Sequence, residues 1–280
     1  MCSSDLFSWL CFGSEGRREQ TLHTDQDNGI LFEAANDAEA EAIRERLLPL
    51  ARRINRQLTA CGFALCPGNI MAGNPALCLS FQEWTRRFAC FVREAGPQQL
   101  LESTIFFDLR VVWGDATRVH ALLAQLGRLV ADNPLFQRRL AESALRHRPP
   151  VGRWREFLVA RHGQDKDTLD LKTEGLTPFV DAARLLALAH GVEPCNTLER
   201  LRSLVSARVI EARDGDAYEE AYQLIQQTRL QLHQRQTREG LPLSNRIDPE
   251  QLNHLERRIL RESLRQAQRL QRSLALRYHL

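Results

Sequence analysis

What the sequence lacks narrows its chemistry first. No run approaches ~18 apolar residues, and no basic N-terminal region precedes a long apolar segment, so neither membrane spanning nor export is expected. The seven cysteines (2, 11, 61, 66, 78, 90 and 195) are odd in number, form no C-x-x-C pair and have no matching histidine spacing. A structural zinc site and a disulfide framework are therefore not expected, and reduced thiols in a cytoplasmic protein fit better. There is no H-E-x-x-H and no His-Asp dipeptide, so the sequence lacks the centre of a metal phosphohydrolase. Lysine is nearly absent, with only Lys166 and Lys172, and arginine supplies the other cations. With 38 basic against 35 acidic residues the formal charge is +3, too mild an excess for a dedicated nucleic-acid binder.

What is present suffices for two folded domains, since 43% of the 280 residues are hydrophobic. Leu6 to Phe12 reads as a buried strand emptying into the Gly13-Ser14 turn, and Glu15 to Gln20 as a short helix. A core strand this close to Met1 is unusual and suits a fragment, or a chain that has lost upstream domains. Asp25 to Phe32 reads as a second strand. Asp37 to Cys61 is an amphipathic helix with Ala40, Ile43, Leu47, Leu50, Ile54 and Leu58 on one face. Cys66 to Pro75 is rich in Gly, Pro and Asn and reads as a loop. Ser80 to Glu94 is a second covering helix, Thr104 to Trp113 the strongest strand, and Ala116 to about Arg146 helical again.

The Arg148-Pro149-Pro150 break sets the expected division, with a mixed α+β domain over 1–147 and an all-α helical bundle over 148–280. In the second part strand signals vanish. Helices are expected from Thr177-Pro178, from Asn196 with Glu199 as a capping box, over Tyr218 to His233, and from Asp248-Pro249 to the C-terminus.

Three features carry chemistry. Asp25 and Asp27, at i and i+2, point to the same side of an extended segment while Gln26 faces away, so both carboxylates can serve one metal ion; a solvated turn completed by Asn28-Gly29 is the plain alternative. Gly13-Ser14, after an apolar strand, forms a turn suited to phosphate oxygens. Asp108, in the middle of the expected strand, needs a partner, because a buried carboxylate costs several kcal/mol. The partner is either Arg110 on the same face, or Mg²⁺ shared with Asp25 and Asp27.

Arg17 and Arg18 have Glu15 and Glu19 beside them as surface ion-pair partners. Lys172, one of the two lysines, reads as an exposed lysine at the start of the helical domain. The loop from Gly68 to Gly73 either lines a base or acceptor pocket or is a simple connection. The arginines of the last helix alternate with glutamates and glutamines, as on a solvated face, so nucleic acid is not the expected partner.

Taken together, the Gly13-Ser14 turn, the Asp25/Asp27 pair and the later Asp108 resemble the active-site pattern of the DNA polymerase β nucleotidyltransferase superfamily. More closely, Gly13-Ser14-Glu15-Gly16-Arg17-Arg18-Glu19-Gln20-Thr21 with Thr24-Asp25-Gln26-Asp27-Asn28 is similar to a nucleotidyltransferase family of bacterial signal-transduction proteins. That family is related to the transferase domain of protein-PII uridylyltransferase. Cys66-Pro67-Gly68-Asn69-Ile70-Met71-Ala72, Glu83-Trp84, Phe107-Asp108-Leu109-Arg110 and Leu171-Lys172-Thr173-Glu174-Gly175-Leu176 extend the resemblance over nearly the whole chain.

The resemblance implies a polymerase-β-like nucleotidyltransferase domain, a small mixed sheet covered by helices, followed by a helical bundle. It implies a two-metal transfer of an NMP from an NTP to a hydroxyl on a protein or small molecule. Asp25 and Asp27 would hold Mg²⁺, or alternatively Mn²⁺, and Asp108 would complete the site on the acceptor side. Gly13, Ser14 and Arg17 or Arg18 would hold the terminal phosphates, with Lys172 reaching in from the second domain. Cyclic-nucleotide-binding or CBS domains precede this pair in longer relatives. With no His-Asp dipeptide, the nucleotide-removing half of a PII-type bifunctional enzyme is not expected here. A nucleotide-sensing regulatory module with slow or no turnover is the competing expectation.

Overall fold

A computed structural model describes residues 7–152, 157–160, 162–163 and 165–280. Leu6, where the sequence reading begins the first strand, lies outside the described residues. The fold is mixed α+β with a small sheet, as expected. Two compact units divide it, one of residues 1–20, 24–136 and 188–196, the other of residues 21–23, 137–187 and 197–280.

The first unit holds a four-stranded sheet in the order β3-β2-β1-β4. β1 (Phe7–Phe12) runs antiparallel to both β2 (Asn28–Phe32) and β4 (Leu109–Trp113), while β3 (Cys78–Ser80) is parallel to β2. β1 and β2 are buried almost throughout, which is why both read as unbroken apolar runs rather than alternating ones. Trp9, Cys11, Ile30 and Phe32 form one core with Ala40 and Ala51 of α2 (Asp37–Ala60). Phe12 belongs to a second, aromatic core with Trp84 of α3 (Phe81–Glu94) and Phe106 of α4 (Pro97–Phe106), its ring meeting that of Phe106 edge-on at 5.0 Å. Each such ring pair adds roughly 0.5–1.5 kcal/mol beyond its buried area. The Trp84 indole N–H donates to the carbonyl of Ile30 at 3.0 Å, and a Ser80–Glu83 capping box fixes where α3 begins. α5 (Thr117–Ala131) packs against α3.

The expected strand over Thr104 to Trp113 is corrected. Residues 97–106 are helical and only Leu109–Trp113 is a strand, so Asp108 lies just before β4 rather than in its middle. Ser103 and Thr104 donate their hydroxyls to the carbonyls of Leu100 and Leu101 inside α4, and Phe106 and Phe107 are claimed by the aromatic core. Tertiary burial overrode a strand-like composition.

α6 (Pro134–Ala144) follows a break at Asn133-Pro134 that divides the long helix expected over Ala116 to Arg146. A six-residue π turn, Leu171–Leu176, runs straight into α7 (Thr177–Ala189), so Thr177 does not cap a new helix there; its hydroxyl donates back to the carbonyl of Lys172 at 3.0 Å. α8 (Thr197–Ser206), α9 (Ala212–Arg238) and α10 (His254–Arg277) follow, and α9 and α10 pack along one another. α10 starts at an Asn253–Glu256 capping box, after a separate 3-10 turn at Pro249–Gln251, later than the expected Asp248-Pro249 start. β5 (Leu169–Asp170) and β6 (Arg246–Ile247) form a two-residue antiparallel pair that no sequence signal announced.

Candidate active site

The site is built where β1 ends. α1 (Gly13–Gly16) is a single helical turn that starts at the Gly-Ser pair itself, earlier and shorter than the helix expected over Glu15 to Gln20. It stops because Arg18 adopts a left-handed backbone, φ 58°. Gly13 is left-handed as well, φ 55°, and a Cβ there would stand 3.5 Å from an Asp27 carboxylate oxygen. Only glycine holds this turn without strain while the carboxylate lies against it. Ser14 is half-buried on the same turn.

The segment from Asp25 to Asn28 enters β2 in extended form and sorts its side chains by alternation. Gln26 and Asn28 are each 1% exposed, while Asp25 and Asp27 lie half-buried on the other side. Asn55 of α2 is the buried hub for the inward pair. Its side-chain amide nitrogen donates to Gln26 Oε1 at 2.9 Å and to Asn28 Oδ1 at 3.0 Å, and its side-chain oxygen Oδ1 accepts the Gly73 N–H at 3.0 Å. The Gln26 amide donates in turn to the carbonyls of Asn55 and Phe63 and to the Thr59 hydroxyl, each at 3.0 Å. A fully satisfied buried polar network is rigid, and a half-satisfied one is costly. The expected alternation is thus realised, with the acidic pair on one side.

The same network fastens the Gly/Pro/Asn-rich loop beside the acidic pair. Gln26 N–H donates to the Ala64 carbonyl at 2.9 Å, Asn28 N–H to the Ile70 carbonyl at 3.0 Å, and Ala72 N–H to Asn28 Oδ1 at 2.8 Å. Between these anchors Cys66-Pro67-Gly68-Asn69 closes a turn, Asn69 N–H donating to the Cys66 carbonyl at 3.0 Å, with Pro67 at the position that favours it. The turn carries Cys66 to the carboxylates. One ligand atom from each of Asp25, Asp27 and Cys66 lies within 4.8 Å of the other two, close enough for one cation with ligand bonds of about 2.0–2.6 Å. Burial pushes the Cys66 thiol up to about 11; the backbone N–H groups of Ile70 and Gly68 oppose the rise, and Asp27 adds to it both by its charge and by accepting the thiol's hydrogen bond.

Asp108 is held by an arginine. Its side chain is wholly buried, and Oδ2 accepts from Arg17 Nη1 at 2.5 Å, while Arg17 Nε donates to Glu19 at 2.6 Å. Among the described residues it is outside the three-residue group of ligand atoms. Arg110, the partner considered for it, instead donates to the main-chain carbonyls of Gly16 and Glu15 at 3.1 Å each, closing the C-terminal end of α1. A Cβ on Gly16 would come within 2.3 Å of the Asp108 carbonyl, so the turn and the segment before β4 are in direct backbone contact. Asn196 donates to the Arg17 carbonyl at 2.9 Å. Of the two arginines, Arg17 is thus engaged in buried ion pairs and Arg18 is exposed. Lys172 is exposed on the π turn of the second unit, its N–H donating to Asp170 Oδ1 at 2.8 Å.

Asn55 carried no sequence signal as a site residue. The available hint was its place on α2, one position after Ile54, among residues whose most buried members are Ala40, Arg44, Ala51 and Asn55. A polar residue on the inward face of an amphipathic helix marks a buried hydrogen-bond hub.

Two family models match the chain: "Putative nucleotidyltransferase DUF294" over residues 4–98 and "Putative nucleotidyltransferase substrate binding domain" over residues 134–278. No curated protein matches it.

Proposed function

The chain belongs to this nucleotidyltransferase family, and from that premise we propose that it moves an NMP from an NTP onto a hydroxyl acceptor, with the acidic pair of the first unit as its metal-holding centre. The observation that carries the reading is the placement of the Asp25 and Asp27 carboxylates beside the left-handed Gly13 turn, their ligand atoms close enough for a shared cation. Hard carboxylate oxygens suit Mg²⁺ or Mn²⁺, so the donor set fits the group the family implies. Such a cation, when bound, neutralises triphosphate charge and lowers the pKa of an acceptor hydroxyl.

The chain's own residues supply position. Gly13 leaves space beside Asp27 for an incoming phosphate, Ser14 offers a hydroxyl and Arg18 an exposed guanidinium on the same turn. Asp108, through Arg17, holds that turn in place; we assign it this positioning role rather than that of a third ligand. By the resemblance to the protein-PII uridylyltransferase transferase domain, the acceptor is a hydroxyl on a regulatory protein and the donor UTP.

The test is incubation with each labelled NTP, Mg²⁺ or Mn²⁺ and cell lysate, comparing wild type with Asp25→Asn/Asp27→Asn. Transfer by wild type that the double variant loses supports the reading. Transfer that survives in the double variant would sink the site. Tight NTP binding by wild type with no transfer to any acceptor would make the protein a nucleotide sensor.

A further inference from the structure

Asn196 is remote from α1 along the chain, yet its side chain reaches the turn beside the acidic pair. Residues 188–196, which lead from the end of α7 to α8, belong to the first compact unit, as do residues 1–20. We propose that Asn196 is a positioning residue for nucleotide binding: by fixing the peptide between Arg17 and Arg18, it holds Arg18 in the backbone conformation that offers its guanidinium to the phosphates of the NTP. The proposal rests on the reading of the Gly13-Ser14 turn as the place of those phosphates.

The main chain of α1 supplies the reason. The last carbonyls of a helical turn have no partner within it and must find one elsewhere. The Gly13 carbonyl accepts the Arg17 N–H at 3.0 Å, that of Glu15 the Arg18 N–H at 3.1 Å, and that of Ser14 the Glu19 N–H at 2.8 Å. The last two bonds are the pair that closes a helix through a left-handed residue, a place usually taken by glycine and taken here by Arg18 at φ 58°. Arg110 covers the Gly16 carbonyl, and that of Glu15 a second time. The Arg17 carbonyl comes next, and Asn196 Nδ2 donates to it at 2.9 Å, with Glu19 Oε1 3.5 Å from the same nitrogen. That carbonyl lies in the peptide plane joining Arg17 to Arg18. Its direction sets ψ of Arg17 and φ of Arg18 together, so a donor fixed on it secures a left-handed conformation that a non-glycine residue adopts only at a cost. Arg18 is exposed on this turn, whereas the charge of Arg17 is committed to Asp108 and Glu19.

The chemistry of residue 196 allows two tasks to be separated. An N-cap for α8 is expected here, and Asn and Asp both cap through a side-chain oxygen. Asparagine brings an NH₂ donor besides that oxygen, and an ionised aspartate brings none. Asn196→Asp therefore keeps the cap and removes the donor. The probes are inorganic triphosphate, UTP and ATP, each with Mg²⁺, titrated calorimetrically into the full chain alongside steady-state transfer kinetics. Asn196→Ala and Asn196→Asp should each weaken triphosphate binding and raise the KM for NTP by about three- to tenfold, the loss of one hydrogen bond, with kcat moving far less. In an Arg18→Ala background the same substitutions should add little, because they act through Arg18. Thermal melting of each variant separates lost binding from lost folding.

Wild-type affinity in both folded Asn196 variants would overturn the inference and leave the proposed function standing. So would an affinity lost with alanine and restored by aspartate, which would reduce Asn196 to the cap of α8, or losses that add in full to that of Arg18→Ala. A wild type that binds neither triphosphate nor NTP would remove the proposed function and this inference with it.

Discussion

Two acidic groups flank the α1 turn, and they are built on opposite terms. Asp25 and Asp27 lie half-buried with their oxygens near one another and near a thiol. Asp108 and Glu19 are buried, and both are held by the single guanidinium of Arg17. The first group brings two half-buried carboxylates together at the edge of the turn. The second compensates its charge inside the protein and spends it on holding a loop. Burial thus separates the two groups: Asp108 is closed in against Arg17, whereas Asp25 and Asp27 stay half-buried.

The comparison is broken most severely by Asp25→Asn/Asp27→Asn. Nucleotidyl transfer should fall on the order of 10³-fold, several kcal/mol of transition-state stabilisation, while the melting temperature does not fall. Radiolabel transfer and a thermal melt on one preparation check both halves. Asp108→Asn should do the reverse in kind. It takes from Arg17 one of the two carboxylates that hold it, Glu19 remaining, and should cost about 1–3 kcal/mol of stability, read as a lower urea midpoint with unchanged slope. An Asp108→Asn protein as stable as wild type would mean that the two groups do not differ as argued.

Asn55→Leu sharpens the contrast from beneath. It strips Gln26 and Asn28 of their shared partner and should cost about 1–3 kcal/mol per group left unsatisfied, with weakened metal binding although Asn55 touches no ligand oxygen. Nucleotide and metal titrations alongside a urea melt would show whether the two losses travel together. Gly13→Ala is the mildest, at about 1–2 kcal/mol for a left-handed alanine, and should raise the KM for NTP more than it lowers stability.

The sequence made the sheet's central strands, α2, α3 and the acidic pair legible, because each shows itself through a local pattern of apolar runs, helical spacing or i, i+2 alternation. What it concealed was decided by partners far along the chain. Nothing near Asp108 says that Arg17 lies against it, and the candidate nearer in sequence, Arg110, closes α1 instead. Thr104 to Phe107 has the composition of a strand but supplies two phenylalanines to the aromatic core from the end of α4. The Cys66 turn was readable as a loop. That it stands over the aspartates depends on hydrogen bonds to Gln26 and Asn28 that no spacing rule predicts.

The alternation from Asp25 to Asn28 also bears on how the chain avoids a wrong fold. Sliding this segment by one residue against its neighbours would turn Gln26 and Asn28 to the open side and drive both aspartates into the amide niche around Asn55. Each buried, uncompensated carboxylate would cost several kcal/mol, comparable with the whole stability of a domain. The residues proposed to hold the cation therefore forbid the mispairing that would hide them, and the sheet need not be told its register by any turn.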